Sequence, residues 1–240
     1  MALSYGMVHR IWQAQPTRNS STRSYGLFLS AGRRGDLQWA RHLLQRHALS
    51  GLPDHRDLKN FDWSYNARLP QRDVLELATL KCIDAREDVL ILGPPGTGKS
   101  HVAKALATTA VQRGYKVLYR EAHQLIEDIT EARELGSLRK LRIQIRDAEL
   151  LLIDDLFLRK LPTHAGDELA DVLMARYEKA STIITSNRPL EDWPRLLGDV
   201  VVVTPLLDRL MHHGHLLKFE GKSWRLKEAA ARAAKRGSSR

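Results

Sequence analysis

Residues 93–100, with the sequence GPPGTGKS, constrain the fold of this chain more than any other stretch. They follow the apolar run at residues 89–92 and lead into a segment of helical character. Glycines let successive backbone N–H groups point into one concavity, and the N-terminus of a following helix adds partial positive charge. The spacing matches a phosphate-binding P-loop, in which Lys99 reaches the β- and γ-phosphates and Ser100 binds Mg²⁺. A plain Gly/Pro-rich turn is the alternative, but it leaves this lysine and serine unexplained.

The loop therefore predicts a site for ATP and Mg²⁺. We expect Lys99 also to act in catalysis, because its charge offsets that of the transferred phosphoryl group. The residues predicted to contact the nucleotide are Gly93, Pro94, Pro95, Gly96, Thr97, Gly98, Lys99, Ser100 and His101.

A second motif joins an apolar run to a pair of acids, because residues 150–153 read LLLI and are followed by Asp154 and Asp155. A continuous apolar run is typical of a strand buried on both faces of a parallel sheet, and ligands bind such sheets at the carboxyl ends of the strands. This is a Walker B pattern, which predicts Asp154 in the Mg²⁺ shell and Asp155 orienting or deprotonating the attacking water. Paired acids can also cap a helix, but the upstream P-loop argues against that role.

Residues 181–187, with the sequence STIITSN, predict another buried strand that ends in polar residues. This position, one helix beyond the Walker B pair, suits a group that senses the γ-phosphate. Asn187 is the candidate, since its amide can bond to phosphate and water at once. A turn residue before Arg188 and Pro189 is the alternative, and periodicity leaves the two open.

Apolar periodicity predicts a chain in which strands and helices alternate. Strands are expected at 89–92, 116–119, 150–155, 181–187 and 216–219, and helices at 36–49 with Asp36 as N-cap, 71–86, 100–112, 121–134, 137–148, 165–179 and from 206 onward. Residues 61–65 alternate aromatic and polar side chains, which predicts an extended segment that lines an adenine pocket or forms a hydrophobic clamp.

The fold class is α/β, a three-layer P-loop NTPase with a parallel sheet. The domains are expected at 1–56, basic and partly disordered with one helix, 57–222, binding ATP, and 223–240, a basic tail.

The net charge of +10 is concentrated at the two ends of the chain. Residues 1–59 carry nine Lys or Arg against three Asp or Glu, and residues 222–240 carry seven against one. Basic ends suit an anionic polymer such as DNA, since counterion release drives such binding, although solvated tails are equally compatible with the charge. A single cysteine excludes an internal disulfide, and without a signal-peptide or membrane-span pattern we expect a cytoplasmic protein with no membrane partner.

Three histidines, at 212, 213 and 215, invite a metal-site interpretation. Adjacent histidines face different ways on a helix, and no neighbouring cysteine or carboxylate completes a ligand set. The sequence therefore does not predict a metal site at these residues.

Together these motifs resemble the AAA+ ATPases, and more narrowly the IstB-like transposition helper proteins, relatives of the DnaC helicase loader and DnaA. The resemblance covers roughly residues 55–226. The runs that carry it are FDWS at 61–64, GPPGTGKS at 93–100, LIDD at 152–155, STIITSNRP at 181–189 with Trp193, LDRL at 207–210 with His212 and His213, and SWRL at 223–226.

The resemblance implies an ATPase that forms a homo-oligomer on double-stranded DNA and helps its cognate transposase to select a target. It also implies that Arg209 is an arginine finger supplied to the ATP of a neighbouring subunit. Two departures stand against a full transfer of these properties. Asp155 replaces the Glu of many AAA+ proteins, and the family's helical N-terminal DNA-binding region is poorly matched before Asp36.

Three other functions compete with this interpretation. A DnaC-like helicase loader would share the chemistry and differ in its partner. A nucleotide-gated DNA-binding module with little hydrolysis would follow from the shorter Asp155 side chain. A small-molecule kinase is the weakest of the three, since no substrate lid or second basic clamp is evident.

Overall fold

The computed structural model describes residues 34–159, 161–162, 165–197 and 200–237. Residues 1–33 of the predicted basic N-terminal region, 1–56, lie outside these ranges. Within them the chain forms five strands, namely β1 (Val89–Leu92), β2 (Val117–Glu121), β3 (Leu150–Leu156), β4 (Ser181–Ser186) and β5 (His215–Lys218). The α-helices of the same ranges are α1 (Arg34–Ser50), α2 (Gln71–Leu77), α3 (Lys81–Ala85), α4 (Lys99–Arg113), α5 (Ala122–Glu134), α6 (Leu138–Arg146), α7 (Ala165–Arg176), α8 (Trp193–Leu197), α9 (Val200–His212) and α10 (Trp224–Gly237).

The five strands form one parallel sheet in the order β2-β3-β4-β1-β5. Successive residues of each central strand face opposite layers, so Leu90 and Ile153 pack on one side of the sheet and Ile91 and Leu152 on the other. Helices α5 to α9 cover the first side, and α1 to α4 cover the second. This arrangement confirms the predicted three-layer α/β P-loop fold, and the continuous apolar strands are its cause because both faces are buried.

Several local predictions were wrong, among them the start of the helix expected from residue 206, which begins at Val200. The helix expected over 71–86 is split into α2 and α3, because Leu80 adopts a left-handed conformation with φ of 66° and buries its side chain in the core. Residues 61–65 form turns rather than an extended segment, since the carboxylate of Asp62 accepts hydrogen bonds from the backbone N–H of Ser64 at 3.0 Å and its hydroxyl at 2.5 Å. Helix α1 begins at Arg34, so Asp36 lies in its first turn and does not precede it.

Helix α7 was predicted to reach residue 179 but ends at Arg176, whose side chain is 1% exposed. Its guanidinium donates to the carbonyls of Ile145 at 2.6 Å, Ala148 at 2.8 Å and Ser181 at 2.6 Å. The cation thereby joins α6, α7 and the start of β4. Burial lowers the pKa of Arg176 to about 10, against the opposing effect of Asp88.

None of the described helices is both long and apolar enough to cross a membrane.

Replacing Arg176 with Met is expected to lower the free energy of unfolding by about 3–5 kcal/mol, because three buried carbonyls and the buried Asp88 lose their cationic partner. Urea unfolding followed by circular dichroism measures this change. Arg133→Met is the matched control, since Arg133 pairs with Glu168 on the surface and such pairs contribute at most about 1 kcal/mol. Equal effects of the two substitutions would contradict the structural role given to Arg176.

Candidate nucleotide-binding site

The P-loop runs from the end of β1 to the first residue of α4, and two of its glycines are required by the fold. Gly96 and Gly98 have φ angles of 81° and 104°, which L side chains rarely adopt. A Cβ at Gly96 would lie 2.1 Å from Oγ of Ser223, and one at Gly98 would lie 2.5 Å from Cε2 of Phe61. The hydroxyl of Thr97 closes the loop by donating to the carbonyl of Pro94 at 2.9 Å.

Lys99 is buried behind this loop, with 4% of its surface exposed. Its ammonium donates to the carbonyl of Pro94 at 2.9 Å and to Oδ1 of Asn187 at 2.6 Å. Burial lowers the pKa of Lys99 to about 8. The hydrogen-bond partners of the ammonium are thus neutral oxygens, and the charges of Asp155 and Asp154 oppose the fall in its pKa. An incoming phosphate would meet a buried cation that forms no ion pair with another described residue. The contact also brings Asn187 to the P-loop, from the residue just beyond β4.

Asp154 lies at the end of β3 and is 1% exposed. Its Oδ1 accepts a hydrogen bond of 2.5 Å from the hydroxyl of Thr185 on β4. Its Oδ2 pairs with the ammonium of Lys104 at 3.1 Å and lies 3.5 Å from the hydroxyl of Tyr119. Both carboxylate oxygens therefore have partners within the protein.

Asp155 follows in a left-handed conformation with φ of 56°, at an irregularity in the pairing of β3 with β4. Its backbone N–H donates to the hydroxyl of Thr185 at 2.8 Å. Irregularities of this kind are common next to active sites, where they re-aim a side chain. Asp155 faces the cavity in front of the P-loop, and burial, followed by the charge of Asp154, raises its pKa.

A cavity of about 600 Å³ lies in front of the P-loop. One wall is polar and carries Lys99, Ser100, Lys104 and Asp155, and the other is aromatic. The aromatic wall contains Phe61, whose ring lies 5.3 Å from that of His101, and Tyr65, whose ring meets that of Trp224 edge-on at 5.0 Å. Residues 61–65, although folded into turns, therefore supply part of the surface against which a base would stack.

His101, predicted to contact the nucleotide, lines the same cavity on its aromatic side. Its Nε2 lies 3.3 Å from the carbonyl oxygen of Asp57. Burial lowers its pKa, which favours the neutral ring beside Phe61.

Sequence reasoning missed the start of α10 as part of this site. Trp224 and Arg225 line the cavity, and the backbone N–H of Trp224 donates to the carbonyl of Gly96 at 2.9 Å. The charge of Arg225 acts on two groups of the site. It contributes to the lowered pKa of Lys99, and it opposes the rise in the pKa of Asp155. An aromatic residue followed by arginine in the SWRL run was the available signal, but the basic composition around it suggested a tail.

Arg209 lies on α9, outside the cavity wall. Its guanidinium lies 5.5 Å from the ring centroid of Tyr177 and contacts Sδ of Met174 at 3.2 Å. Within one chain the structure therefore brings the P-loop, the two aspartates and Asn187 together, and leaves Arg209 on a different surface.

Two histidines beyond Arg209 do meet a carboxylate. The rings of His212 and His213 lie 3.9 Å apart, and ligand atoms of both lie within 4.8 Å of each other and of Glu178. The sequence argument missed this carboxylate because Glu178 comes from the end of a different helix. All three side chains are exposed, and zinc bonds of about 2 Å would require them to move closer together.

The donor set around the P-loop suits Mg²⁺, which prefers oxygen ligands. The hydroxyl of Ser100 lies on the cavity wall, and Asp154 supplies a carboxylate at the adjoining strand end. The cradle of Gly96 and Gly98 is of the kind that phosphates occupy. The residues therefore fit a metal–nucleotide complex, with the qualification that Lys104 already contacts Asp154.

Comparison with known proteins agrees with this geometry. Residues 6–232 match the family model described as IstB-like ATP binding protein. The chain is 38% identical over 181 residues to an ATP-binding protein of insertion sequence IS5376 from Geobacillus stearothermophilus, covering 75% of this chain and 72% of the relative. It is 37% identical over 177 residues to one of insertion sequence IS21 from Pseudomonas aeruginosa, covering 74% and 67%.

Solved structures with the same fold include two replication proteins. AMPPCP-bound DnaA from Aquifex aeolicus is similar with a TM-score of 0.57 and 26% identity, over 71% of this chain and 51% of DnaA. The DnaC helicase loader is similar with a TM-score of 0.54 and 21% identity, over 62% of this chain and 87% of DnaC, which shows the fold alone. The sheet order, the P-loop cavity and the family match lead to one conclusion, that the chain belongs to the IstB-like ATP-binding proteins of insertion sequences.

Proposed function

We propose that this protein is a DNA-stimulated ATPase that assembles as a homo-oligomer on duplex DNA and assists its cognate transposase in choosing a target. The observation that carries the ATPase is the position of Lys99 and Asp155 on one cavity, with Asn187 hydrogen-bonded to Lys99. The ATP-binding proteins of insertion sequences among its relatives support the role in transposition. A solved structure of DnaA with AMPPCP and single-stranded DNA, 25% identical over 69% of this chain, supports a link between nucleotide and DNA.

In the proposed reaction, water attacks the γ-phosphorus and the bond from that phosphorus to the β–γ bridging oxygen breaks. Asp155 accepts the proton of the water, and the raised pKa of its carboxyl suits a general base. Lys99 holds the γ-phosphate, and Asn187, already bonded to Lys99, is placed to bond to the phosphate or the water. When bound by Ser100 and Asp154, Mg²⁺ would neutralise charge on the phosphate oxygens.

The proposed DNA contact rests on the uneven charge of the chain. On α6, Arg142 and Arg146 pair with carboxylates, whereas the exposed Arg139 and Lys140 form no ion pair with another described residue. The exposed α10 adds further cations beside the nucleotide cavity. Cations beside the cavity would bind DNA phosphates, because electrostatic binding releases counterions. Bound DNA would then lie close enough to the site to change the rate of ATP hydrolysis.

A second candidate is a nucleotide-gated DNA-binding module with little hydrolysis. The observation in its favour is Asp155 itself, which is one methylene shorter than glutamate and is fixed through its backbone to Thr185. A helicase loader has weaker support, because the likeness to DnaC extends to the fold alone.

Steady-state ATP hydrolysis, measured with and without duplex DNA, tests the proposal. We expect turnover that requires Mg²⁺ and rises several-fold with DNA. Lys99→Ala is expected to abolish both binding and turnover while remaining folded, because it removes the cation at the phosphate site. Nucleotide binding without turnover in the native protein, with or without DNA, would favour the gated module.

Asp155→Asn is expected to retain nucleotide affinity and to lose at least about 100-fold in turnover, because binding depends on the P-loop whereas hydrolysis needs a proton acceptor. Titration with a fluorescent ATP analogue and a phosphate-release assay separate the two quantities. Asp147→Asn is the matched control. Asp147 is an exposed carboxylate that pairs with Arg146, and it is far from the P-loop in sequence. Normal turnover by Asp155→Asn would transfer the catalytic role to another residue.

Arg209→Ala and Lys99→Ala subunits are each expected to be inactive and to recover part of the ATPase activity when mixed on DNA. The first provides an intact P-loop and the second an intact finger, and a finger supplied in trans is typically worth about 10³-fold or more. The measurement is ATP hydrolysis by mixtures at several ratios, with co-assembly checked by light scattering. A mixture that assembles and stays inactive would limit Arg209 to its contacts with Tyr177 and Met174.

A further inference from the structure

Lys104 occupies the position next to the predicted magnesium ligands. It lies on α4 one helical turn after Ser100, so both side chains are on the same face of that helix. Both line the nucleotide cavity. The ammonium of Lys104 is 3.1 Å from Oδ2 of Asp154, in an ion pair whose side chains are 17% and 2% exposed.

Together with two neighbouring hydroxyls, Lys104 contacts both carboxylate oxygens of Asp154. Oδ1 accepts from the hydroxyl of Thr185 at 2.5 Å, and Oδ2 faces Lys104 and the hydroxyl of Tyr119. The ring of Tyr119 also lies 5.0 Å from the ammonium, within the range of a cation–π contact. Asp155 and Lys104 are on the cavity wall, whereas Asp154 is absent from the described residues that form it. The carboxylate thus lies behind the lysine.

We propose that Lys104 is an internal competitor of Mg²⁺: it pairs with Asp154 and must leave this carboxylate before the carboxylate can join the metal shell. This inference rests on the proposed function, because it concerns the same nucleotide site. An ammonium 3.1 Å from Oδ2 of Asp154 opposes the approach of a divalent metal to the same carboxylate, since the two cations repel each other at short range in a buried site. Lys104 therefore raises the Mg²⁺ concentration at which nucleotide binding is strengthened.

After it leaves Asp154, the ammonium of Lys104 would stay within the nucleotide cavity. The stem of Lys104 starts from α4 on the cavity wall, so an ammonium released from Asp154 remains beside the region where phosphates would lie. A lysine is a compact cation on a flexible stem, so it can leave Asp154 while remaining in the cavity.

The test measures binding of a fluorescent, non-hydrolysable ATP analogue at fixed protein concentration while Mg²⁺ is titrated. The midpoint is the Mg²⁺ concentration at which binding of the analogue is half-maximal. Lys104→Met, which keeps the length of the side chain without its charge, is expected to lower this midpoint roughly tenfold, the equivalent of one charge-assisted hydrogen bond. Lys104→Arg retains the cation and is expected to stay within about twofold of the native midpoint. If Lys104→Met fails to fold by circular dichroism, Lys104→Gln takes its place, since its amide can still donate to Asp154.

The Asp154→Asn background distinguishes displacement from a general effect of charge. There Lys104→Met is expected to leave the midpoint unchanged, because the contact for which metal and lysine compete is gone. An equal shift in both backgrounds, or an unchanged midpoint in the native background, would overturn the inference while the nucleotide site stands. Failure of the native protein to bind the analogue at any Mg²⁺ concentration would instead overturn the proposed function.

Discussion

The pairing of β1 with β4 is the constraint on which the rest of the site depends. It places Leu92 opposite Ser186, and the backbone N–H of Gly93 donates to the carbonyl of Ser186 at 3.2 Å. The P-loop therefore leaves the sheet beside the residue that follows β4, and Lys99 meets Asn187 across 88 positions of sequence. Parallel strands end at the same edge of a sheet, so this pairing and that of β3 with β4 bring the P-loop, the two aspartates and Asn187 together.

Charge within the site is balanced unequally on its two sides. Lys99 donates to neutral oxygens, and the charges of Asp155 and Asp154 also act on it. Asp154, in contrast, is in direct contact with a cation, Lys104. Lys99 could therefore receive an anion without losing an ion pair, whereas Asp154 would have to exchange Lys104 for a metal. This asymmetry is the physical basis of the proposed competition.

Much of the fold followed from local sequence, and the failures have identifiable causes. Short, mostly apolar segments predicted all five strands, and the runs of β1 and β3 are apolar almost throughout because strands buried on both faces need no polar alternation. The helix over 71–86 was wrong because burial of Leu80 outweighed helical continuity. The role of Trp224 and Arg225 was missed because their contacts with the P-loop bridge more than a hundred residues, and composition describes only neighbours along the chain.

The sequence by itself determined the P-loop, the acid pair and the strand that ends before Asn187, since each depends on residue types at fixed short spacings. Only the tertiary structure decided which cations and carboxylates face each other. Lys104 and Asp154 are 50 positions apart, and the distance of 3.1 Å between their charged atoms arises from packing of α4 on β3. Such a contact has no local signature, because it depends on strand order and on the face of a helix that the core selects.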